Sequence, residues 1–292
     1  MSTQVPTALV FEGGGMRGTY TAALVAEMID AGIEFPWVGG ISAGATHTFN
    51  FVARDSWRAR AAFVDLARDP NIGGPLSFVR GKGYFNSDYI YHHTSGPGQL
   101  LPFDWPAFEA SPVEYKIGAF NCEEGRTVYW GREDATDHEG LLRRCQASSS
   151  IPIAMPIVEI DGVAYLDGAI GATGGFAIDA AEADGYERFV VVLTRERGYE
   201  KPQSKLPLAF YRRVFRKYPA VADAILARAD NYNRSRERLE ALQAEGRAFL
   251  YYPETVPVDN GERDPIKIQA AYEEGLQQAR RDLPKIVEFL QG

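Results

Sequence analysis

The sequence predicts an α/β fold with a mainly parallel central sheet, helices on both of its faces and a helical C-terminal extension. Short apolar runs alternate with helix-permissive segments to about residue 195, a pattern typical of parallel sheets with crossover helices. The chain has 292 residues, 45% of them hydrophobic, which is enough for one large domain or two small ones. From Leu206 to the end the pattern is mostly helical.

The first part of the chain contains two strand-turn-helix units. Residues 8–11 are a short apolar run that ends at glycines, and residues 18–31 then carry apolar side chains at helical spacing. Residues 35–40 predict a second buried strand, and residues 43–54 predict the helix that follows it.

The middle of the chain is irregular before the strands resume. Residues 55–112 are rich in Gly, Pro and aromatic residues, which favours loops and short helices over a cleft. Asp161-Gly162 is typical of a hairpin turn. Further strands are predicted at 115–121, 127–130, 157–160, 163–166, 189–194 and 248–253.

Composition restricts the class of protein. The net charge of −8 argues against a nucleic-acid partner, because such binding depends on Lys and Arg that neutralise phosphates. Cys122 and Cys145 have no metal-ligand spacing and are expected to be reduced. No apolar run reaches the ~18 residues of a spanning helix, and the amino terminus lacks a leader pattern, so we expect a cytoplasmic protein.

The motif G-x-S-x-G occurs at Gly40-Ile41-Ser42-Ala43-Gly44, between a predicted strand and a predicted helix. A nucleophile on such a sharp turn needs small neighbours two residues before and after it, so that strand and helix can pass closely. Ser42 is therefore the candidate nucleophile. The alternative is a tight turn that contains an ordinary serine.

A glycine-rich turn, GGGMRG, follows the first strand. Gly13, Gly15 and Gly18 satisfy the dinucleotide-binding pattern G-x-G-x-x-G, but the second strand ends in the serine motif where an acidic residue is expected. A Walker A motif is excluded because no Gly-Lys-Ser/Thr follows. Glycine N–H groups that face Ser42 from a neighbouring strand would instead form an oxyanion hole.

The proton acceptor for Ser42 is predicted to be a carboxylate. The chain has four histidines, His47, His92, His93 and His138, and none follows late in the sequence as the order of an α/β-hydrolase requires. Asp167 lies directly after a predicted strand and before Gly168-Ala169. An Asp-Gly pair at this place is also common in ordinary turns.

Together, GGGMRG, GISAG and DGA resemble the motifs of the patatin-like phospholipase family. The resemblance implies a patatin-like three-layer fold and a serine lipid acyl hydrolase with a Ser42-Asp167 dyad that needs no metal or cofactor. It makes Gly13, Gly14 and Gly15 the oxyanion donors, with Arg17 orienting the loop. It also implies a catalytic domain over 1–200 and a mostly helical extension over 201–292, packed on the same domain. GATGGFAI after Asp167 departs from the family's usual continuation.

Other functions stay open on the sequence alone. These are a short-chain carboxylesterase, a nucleotide-binding protein that uses GGGMRG, and a non-catalytic lipid-binding or scaffold protein. Six basic and no acidic residues lie between Lys201 and Ala222. They predict a helix with Phe210, Val214, Tyr218 and Val221 on one side, either a surface helix or a peripheral contact with anionic lipid headgroups. The basic residues on its other side are Arg212, Arg213, Arg216 and Lys217.

Overall fold

The structure, a computed structural model, describes residues 5–292 and confirms the α/β class. The strands, in chain order, are β1 (Thr7–Phe11), β2 (Trp37–Ile41), β3 (Glu114–Asn121), β4 (Arg126–Trp130), β5 (Val158–Ile160), β6 (Val163–Asp167), β7 (Arg188–Val192) and β8 (Ala248–Tyr251). The α-helices are α1 (Gly18–Asp30), α2 (Ala43–Val52), α3 (Ser56–Ala61), α4 (Pro75–Val79), α5 (Ser87–His92), α6 (Trp105–Ala110), α7 (His138–Ser148), α8 (Ile178–Ala183), α9 (Leu208–Val214), α10 (Pro219–Ala244) and α11 (Pro265–Gln291).

All these strands belong to one mixed sheet whose central part is parallel. β8, β7, β1, β2 and β3 are neighbours in that order, and every pair among them is parallel. The β5–β6 hairpin and β4 join β3 in antiparallel orientation. The predicted strands and the hairpin are thus confirmed, with ends that differ by one or two residues.

One edge of β3 is shared by two strands that approach each other end to end. Ile41, the last residue of β2, lies opposite Gly118, and Asp167, the last residue of β6, lies opposite Ala119. β4 pairs with both Gly118 and Ala119 and therefore occupies the other edge. Because β2 and β6 run in opposite directions along one edge, their carboxyl ends meet.

Helices cover both faces of the sheet, as predicted. In β1, Leu9 and Phe11 pack on one face with α1, α2, α7 and α11, whereas Ala8 and Val10 pack on the other with α8 and α10. All five residues of β1 are buried. A strand enclosed on both faces is apolar throughout, which is why the run TALVF does not alternate.

The C-terminal residues complete this core. β8 extends the sheet beside β7, and α11 packs along α1. The helices α1 and α11 approach closely at Gly275, where an added Cβ would lie 2.3 Å from the Tyr20 carbonyl oxygen. Residues 201–292 therefore share the core of the rest of the chain, and the division into a catalytic domain (1–200) and an extension stays a prediction.

The predicted basic helix near residues 205–222 is wrong in one respect, because the chain forms two helices there. α9 ends at Val214 and α10 begins at Pro219. Proline lacks a backbone N–H and restricts the residue before it, so the helix restarts there. As a result Phe210 and Val214 are 40% and 45% exposed, whereas Tyr218 and Val221 are buried.

Candidate active site

Ser42 lies on the turn between β2 and α2, in a backbone conformation that is rare for a residue with a side chain. Its φ is 60° and its ψ is −123°. The neighbouring glycines are required sterically: a Cβ on Gly40 would lie 2.3 Å from the Gly44 backbone, and one on Gly44 would lie 2.3 Å from the Phe11 carbonyl oxygen. This is the strained strand-to-helix turn that the G-x-S-x-G spacing predicts.

Two serines at the carboxyl end of α7 and just after it, Ser148 and Ser150, support this turn. The Ser42 N–H donates to Ser148 Oγ at 2.8 Å, and the Ser148 hydroxyl donates to the Gly118 carbonyl at 2.6 Å. The Ser150 carbonyl accepts the Asp167 N–H at 2.8 Å. Ser148 and Ser150 therefore connect the backbones of both candidate catalytic residues, a role that the sequence did not indicate.

Asp167 meets Ser42 at the shared edge of β3. Its Oδ1 accepts the Ala169 N–H at 2.8 Å. Burial raises the pKa of the Asp167 carboxyl above its usual value, although the Ala169 N–H, the Arg228 cation and a hydrogen bond with the Ser42 hydroxyl each lower it. Since a carboxylate with a raised pKa is a stronger base, this environment suits proton transfer from Ser42.

The glycine-rich loop lies against the serine turn. A Cβ on Gly13 would lie 2.9 Å from the Ile41 carbonyl oxygen and 3.1 Å from Ser42 Cβ. The Gly13 N–H donates to the Gly175 carbonyl, whereas the Gly14 and Gly15 N–H groups have no acceptor within residues 5–292. Of the three predicted oxyanion donors, Gly14 and Gly15 therefore have N–H groups that are free to bind a ligand, and Gly13 allows the close approach of the two turns.

The histidines lie away from the dyad, as expected. His47 is buried and shares a hydrogen bond with Thr21 at 2.9 Å, and burial lowers its pKa to about 3. His92 contacts Gln146 and Glu139, His93 contacts Asp88, and the His138 ring stacks on Phe103. None of these rings lines the cavities that reach Ser42.

Two connected spaces meet at Ser42. The larger one encloses about 730 Å³, part of it open to solvent, between α2 and the short helices of residues 55–112. Its wall is mainly apolar and includes Met16, Phe49, Phe63, Leu66, Phe85, Ile90, Leu101 and Met155. The region that the sequence predicts to lie over a cleft thus forms one wall of this apolar cavity.

The smaller space contains the dyad and is polar. Gly13, Gly14, Gly15 and the buried Arg17 line it, as does Arg228 from α10. The sequence did not indicate Arg228, since it belongs to the predicted helical extension. Its Nε donates to the Ala169 carbonyl at 3.2 Å, next to Asp167.

The departure of GATGGFAI from the usual pattern has a structural consequence. Gly174 has a φ of 66°, and a Cβ there would lie 2.5 Å from the Tyr232 Cα. The Gly171 carbonyl accepts a hydrogen bond from Asn231. The glycines of this segment thus allow α10 to pack directly behind the dyad.

These features define a class of α/β proteins in which a serine on a strand-to-helix turn faces an aspartate at the end of a neighbouring strand. Comparison with known families is more specific. A family model described as "Patatin-like phospholipase" matches residues 9–179, and one described as a domain of unknown function matches residues 218–291. The chain belongs to the patatin-like phospholipase family.

Similar individual proteins add little about function. An uncharacterized protein of Escherichia coli (strain K12), YjjU, is 28% identical over 202 residues, which are 64% of this chain and 51% of that protein. The chain thus spans about half the length of this curated relative. The crystal structure of VipD from Legionella pneumophila aligns with 98% of this chain and 66% of its own, at 11% identity and a TM-score of 0.49. Within residues 5–292 no helix is both long and apolar enough to span a bilayer.

Proposed function

We propose that the protein is a serine lipid acyl hydrolase that cleaves fatty-acyl esters through Ser42 and Asp167. The observation that carries the proposal is the strained Ser42 turn, which lies beside the buried Asp167 at the shared edge of β3. Membership of the patatin-like phospholipase family supports lipid esters as substrates. The roles of Ser42 as nucleophile and Asp167 as base, and of the glycine N–H groups as oxyanion donors, are part of the same proposal.

In the proposed reaction Asp167 takes the proton of the Ser42 hydroxyl as Oγ attacks the ester carbonyl carbon. The Gly14 and Gly15 N–H groups stabilise the oxyanion that forms. The bond to the alcohol then breaks, and Asp167 returns its proton to the leaving oxygen. Water repeats the sequence on the acyl-enzyme, which releases the fatty acid and restores Ser42.

The apolar cavity favours a long acyl chain over the short chain of a simple carboxylesterase. It begins at Ser42 and Ala43 and continues between Phe49, Phe63 and Leu101. We expect esters of increasing chain length to be better substrates until the cavity is filled, whereas a short-chain carboxylesterase would prefer acetyl or butyryl esters.

The experiment that tests the proposal is labelling with a fluorophosphonate, followed by intact mass and peptide mapping. We expect one adduct, on Ser42, and none in Ser42→Ala. Ser149→Ala is the matched control, since Ser149 lines the same apolar cavity and is expected to leave labelling intact. Ester hydrolysis that survives in Ser42→Ala or Asp167→Asn would contradict the dyad.

A nucleotide-binding function is less favoured at the glycine loop. The Met16 N–H, close to the start of α1, donates to the Asn260 carbonyl. A Cβ on Gly15 would lie 2.5 Å from the same carbonyl oxygen. Residue 260 therefore occupies the position over the helix end where a pyrophosphate would bind. Thermal stabilisation of the protein by NAD or FAD would support nucleotide binding. Fluorophosphonate labelling of Ser42 would distinguish an enzyme from a non-catalytic lipid-binding protein.

We also propose a peripheral contact with anionic lipid through α9. The exposed side chains of α9 and of the residues on either side of it combine apolar and basic groups, as an interfacial contact requires. Leu206, Phe210 and Val214 are 45%, 40% and 45% exposed. Arg212, Arg213, Arg216 and Lys217 are exposed beside them, and only Arg212 among these four forms an ion pair within residues 5–292, with Asp223.

A further inference from the structure

Four cationic side chains interact with one another near the polar space of the dyad, which Arg17 and Arg228 line, and near Glu12. These four side chains, which we call the cationic cluster, are Arg17, Arg195, Lys201 and Arg228. Electrostatic interactions connect Lys201 with Arg228, Arg17, Arg195 and Glu12, and connect Asp167 with Arg228 and Lys201. Within residues 5–292 none of the four cations forms an ion pair with a carboxylate.

Arg17 is the most buried member, at 8% exposure. Its Nε is buried and has no hydrogen-bond acceptor within residues 5–292, and its guanidinium lines the space that contains Ser42 and Asp167. Arg195 has a buried Nε that likewise lacks an acceptor there. A buried donor without an acceptor carries a desolvation cost, which is larger for a charged group. Water, an ion or a ligand can complete such a group.

Lys201 and Arg228 come from the segment after the parallel strands. The Lys201 ammonium lies 4.2 Å from the centre of the Tyr232 ring, and this contact leaves its N–H donors unused. Burial and the cations of Arg228, Arg17 and Arg195 lower the pKa of Lys201 to about 7, against an opposing effect of Glu12. Arg228 uses only its Nε, which donates to the Ala169 carbonyl.

Glu12 does not neutralise this cluster through a direct contact. Its Oε1 accepts the Tyr232 hydroxyl at 2.8 Å, and its Oε2 accepts the Thr194 N–H at 2.6 Å. Among residues 5–292, the carboxylate that lines the polar space is Asp167, the proposed base. An excess of positive charge is thus concentrated at one place in a chain whose net charge is −8.

We infer that the cationic cluster is a phosphate-binding subsite beside the dyad, at which Arg17 and Arg228 contact the anion directly and Lys201 and Arg195 add charge behind them. The inference rests on the proposed function, because it places the phosphate of an ester substrate next to the scissile bond. Arginine forks bind phosphate oxygens in pairs, and the unused N–H groups supply the donors. Two of the four members belong to the C-terminal residues, so these residues complete the substrate site.

The test compares two substrates with the same acyl chain, a monoacylglycerol and its phosphomonoester, below their micelle concentrations and at constant ionic strength. We expect kcat/KM for the phosphomonoester to fall at least about tenfold more than that for the neutral ester in Arg228→Gln and in Lys201→Gln. Arg228→Lys keeps the positive charge but not the planar fork of the guanidinium. It is therefore expected to retain more of the preference for the phosphomonoester than Arg228→Gln does. Arg234→Gln is the matched control, since Arg234 lies exposed on the same helix.

Direct binding separates this inference from the proposed function. Inorganic phosphate and glycerol 3-phosphate are titrated against the wild type and Lys201→Gln by calorimetry, which requires no turnover. Binding that is lost in Lys201→Gln supports the subsite even if no ester is cleaved. Binding of glycerol 3-phosphate but not of inorganic phosphate would indicate a site for a lipid headgroup. Equal binding of both anions would indicate a site that also takes free phosphate. Equal loss of activity on both esters, or no binding of either anion by the wild type, would overturn the inference.

Discussion

Tyr232, in the middle of α10, donates its hydroxyl hydrogen to Oε1 of Glu12 at 2.8 Å. Glu12 directly precedes the three glycines of the oxyanion loop. Both residues are buried, at 3% exposure or less. The bond therefore fixes a C-terminal helix to the loop on which the proposed chemistry depends.

Removal of this bond is expected to destabilise the protein. Tyr232→Phe leaves one oxygen of a buried carboxylate without its donor, so we expect the free energy of unfolding to fall by about 1.5–3 kcal/mol. Chemical denaturation measures it. Tyr251→Phe is the control, because the buried Tyr251 hydroxyl has no partner within residues 5–292, and its removal is expected to be neutral or stabilising. Equal losses in both variants would contradict the importance of the Glu12 bond.

Ser148 is predicted to act as a positioning residue. Ser148→Ala removes the acceptor of the Ser42 N–H and the donor to the Gly118 carbonyl. We expect kcat to fall roughly tenfold or more with a smaller change in KM, since the nucleophile would be displaced while the acyl cavity stays intact. The rate of fluorophosphonate labelling at a temperature well below unfolding provides a second readout. An unchanged labelling rate would show that the turn holds Ser42 without Ser148.

His47 is predicted to make the fold sensitive to acid. Burial lowers its folded-state pKa to about 3, whereas an unfolded histidine titrates near 6.5. Between these values the unfolded state binds the extra proton, so the free energy of unfolding falls as pH falls, by up to about 1.4 kcal/mol per pH unit from this group. His47→Gln is expected to give a shallower slope between pH 6.5 and 4. An identical slope would assign the acid sensitivity to other groups.

Binding to membranes is predicted to depend on α9 and the turn after it. Replacement of Arg212, Arg213, Arg216 and Lys217 with Gln is expected to remove most co-sedimentation with anionic vesicles. Each basic residue near the surface contributes about 1 kcal/mol, so the four together change the partition constant by up to roughly a thousandfold. The matched control replaces Arg234, Arg238, Arg280 and Arg281, which are exposed elsewhere and change the net charge equally. If both variants lose vesicle binding equally, the effect is one of net charge. If the α9 variant loses no binding, α9 is not the membrane contact.

Much of the fold is predictable from local patterns. The run at residues 8–11 and the hairpin around Asp161-Gly162 were predicted because burial and turn chemistry leave a local signature. The prediction of a single helix at 205–222 was wrong. It followed the apolar spacing and gave too little weight to Pro219, where a new helix begins. Phe210 and Val214 are exposed as a result, and Tyr211 and Phe215 take the buried positions.

The candidate site is only partly predictable. Ser42, Asp167 and the glycine loop carry motifs because each occupies a turn with strict steric demands. Ser148 and Arg228 carry no such signal, since a hydrogen bond between distant segments imposes no pattern on the residues around either partner. The bond between the Gly13 N–H and the Gly175 carbonyl carries no signal for the same reason, because Gly175 lies far along the chain.

By itself the sequence determined the local conformations: a strained turn at Ser42, a glycine turn after β1 and a hairpin that ends at Asp167. Only the tertiary structure decided that β2 and β6 meet end to end on one edge of β3, that Arg228 lies near Asp167 and that Lys201 lies near Glu12. Steric demands of a turn act between neighbouring residues and are therefore visible in the sequence. Strand register and the clustering of buried charges arise between distant segments, where the whole fold sets the distance.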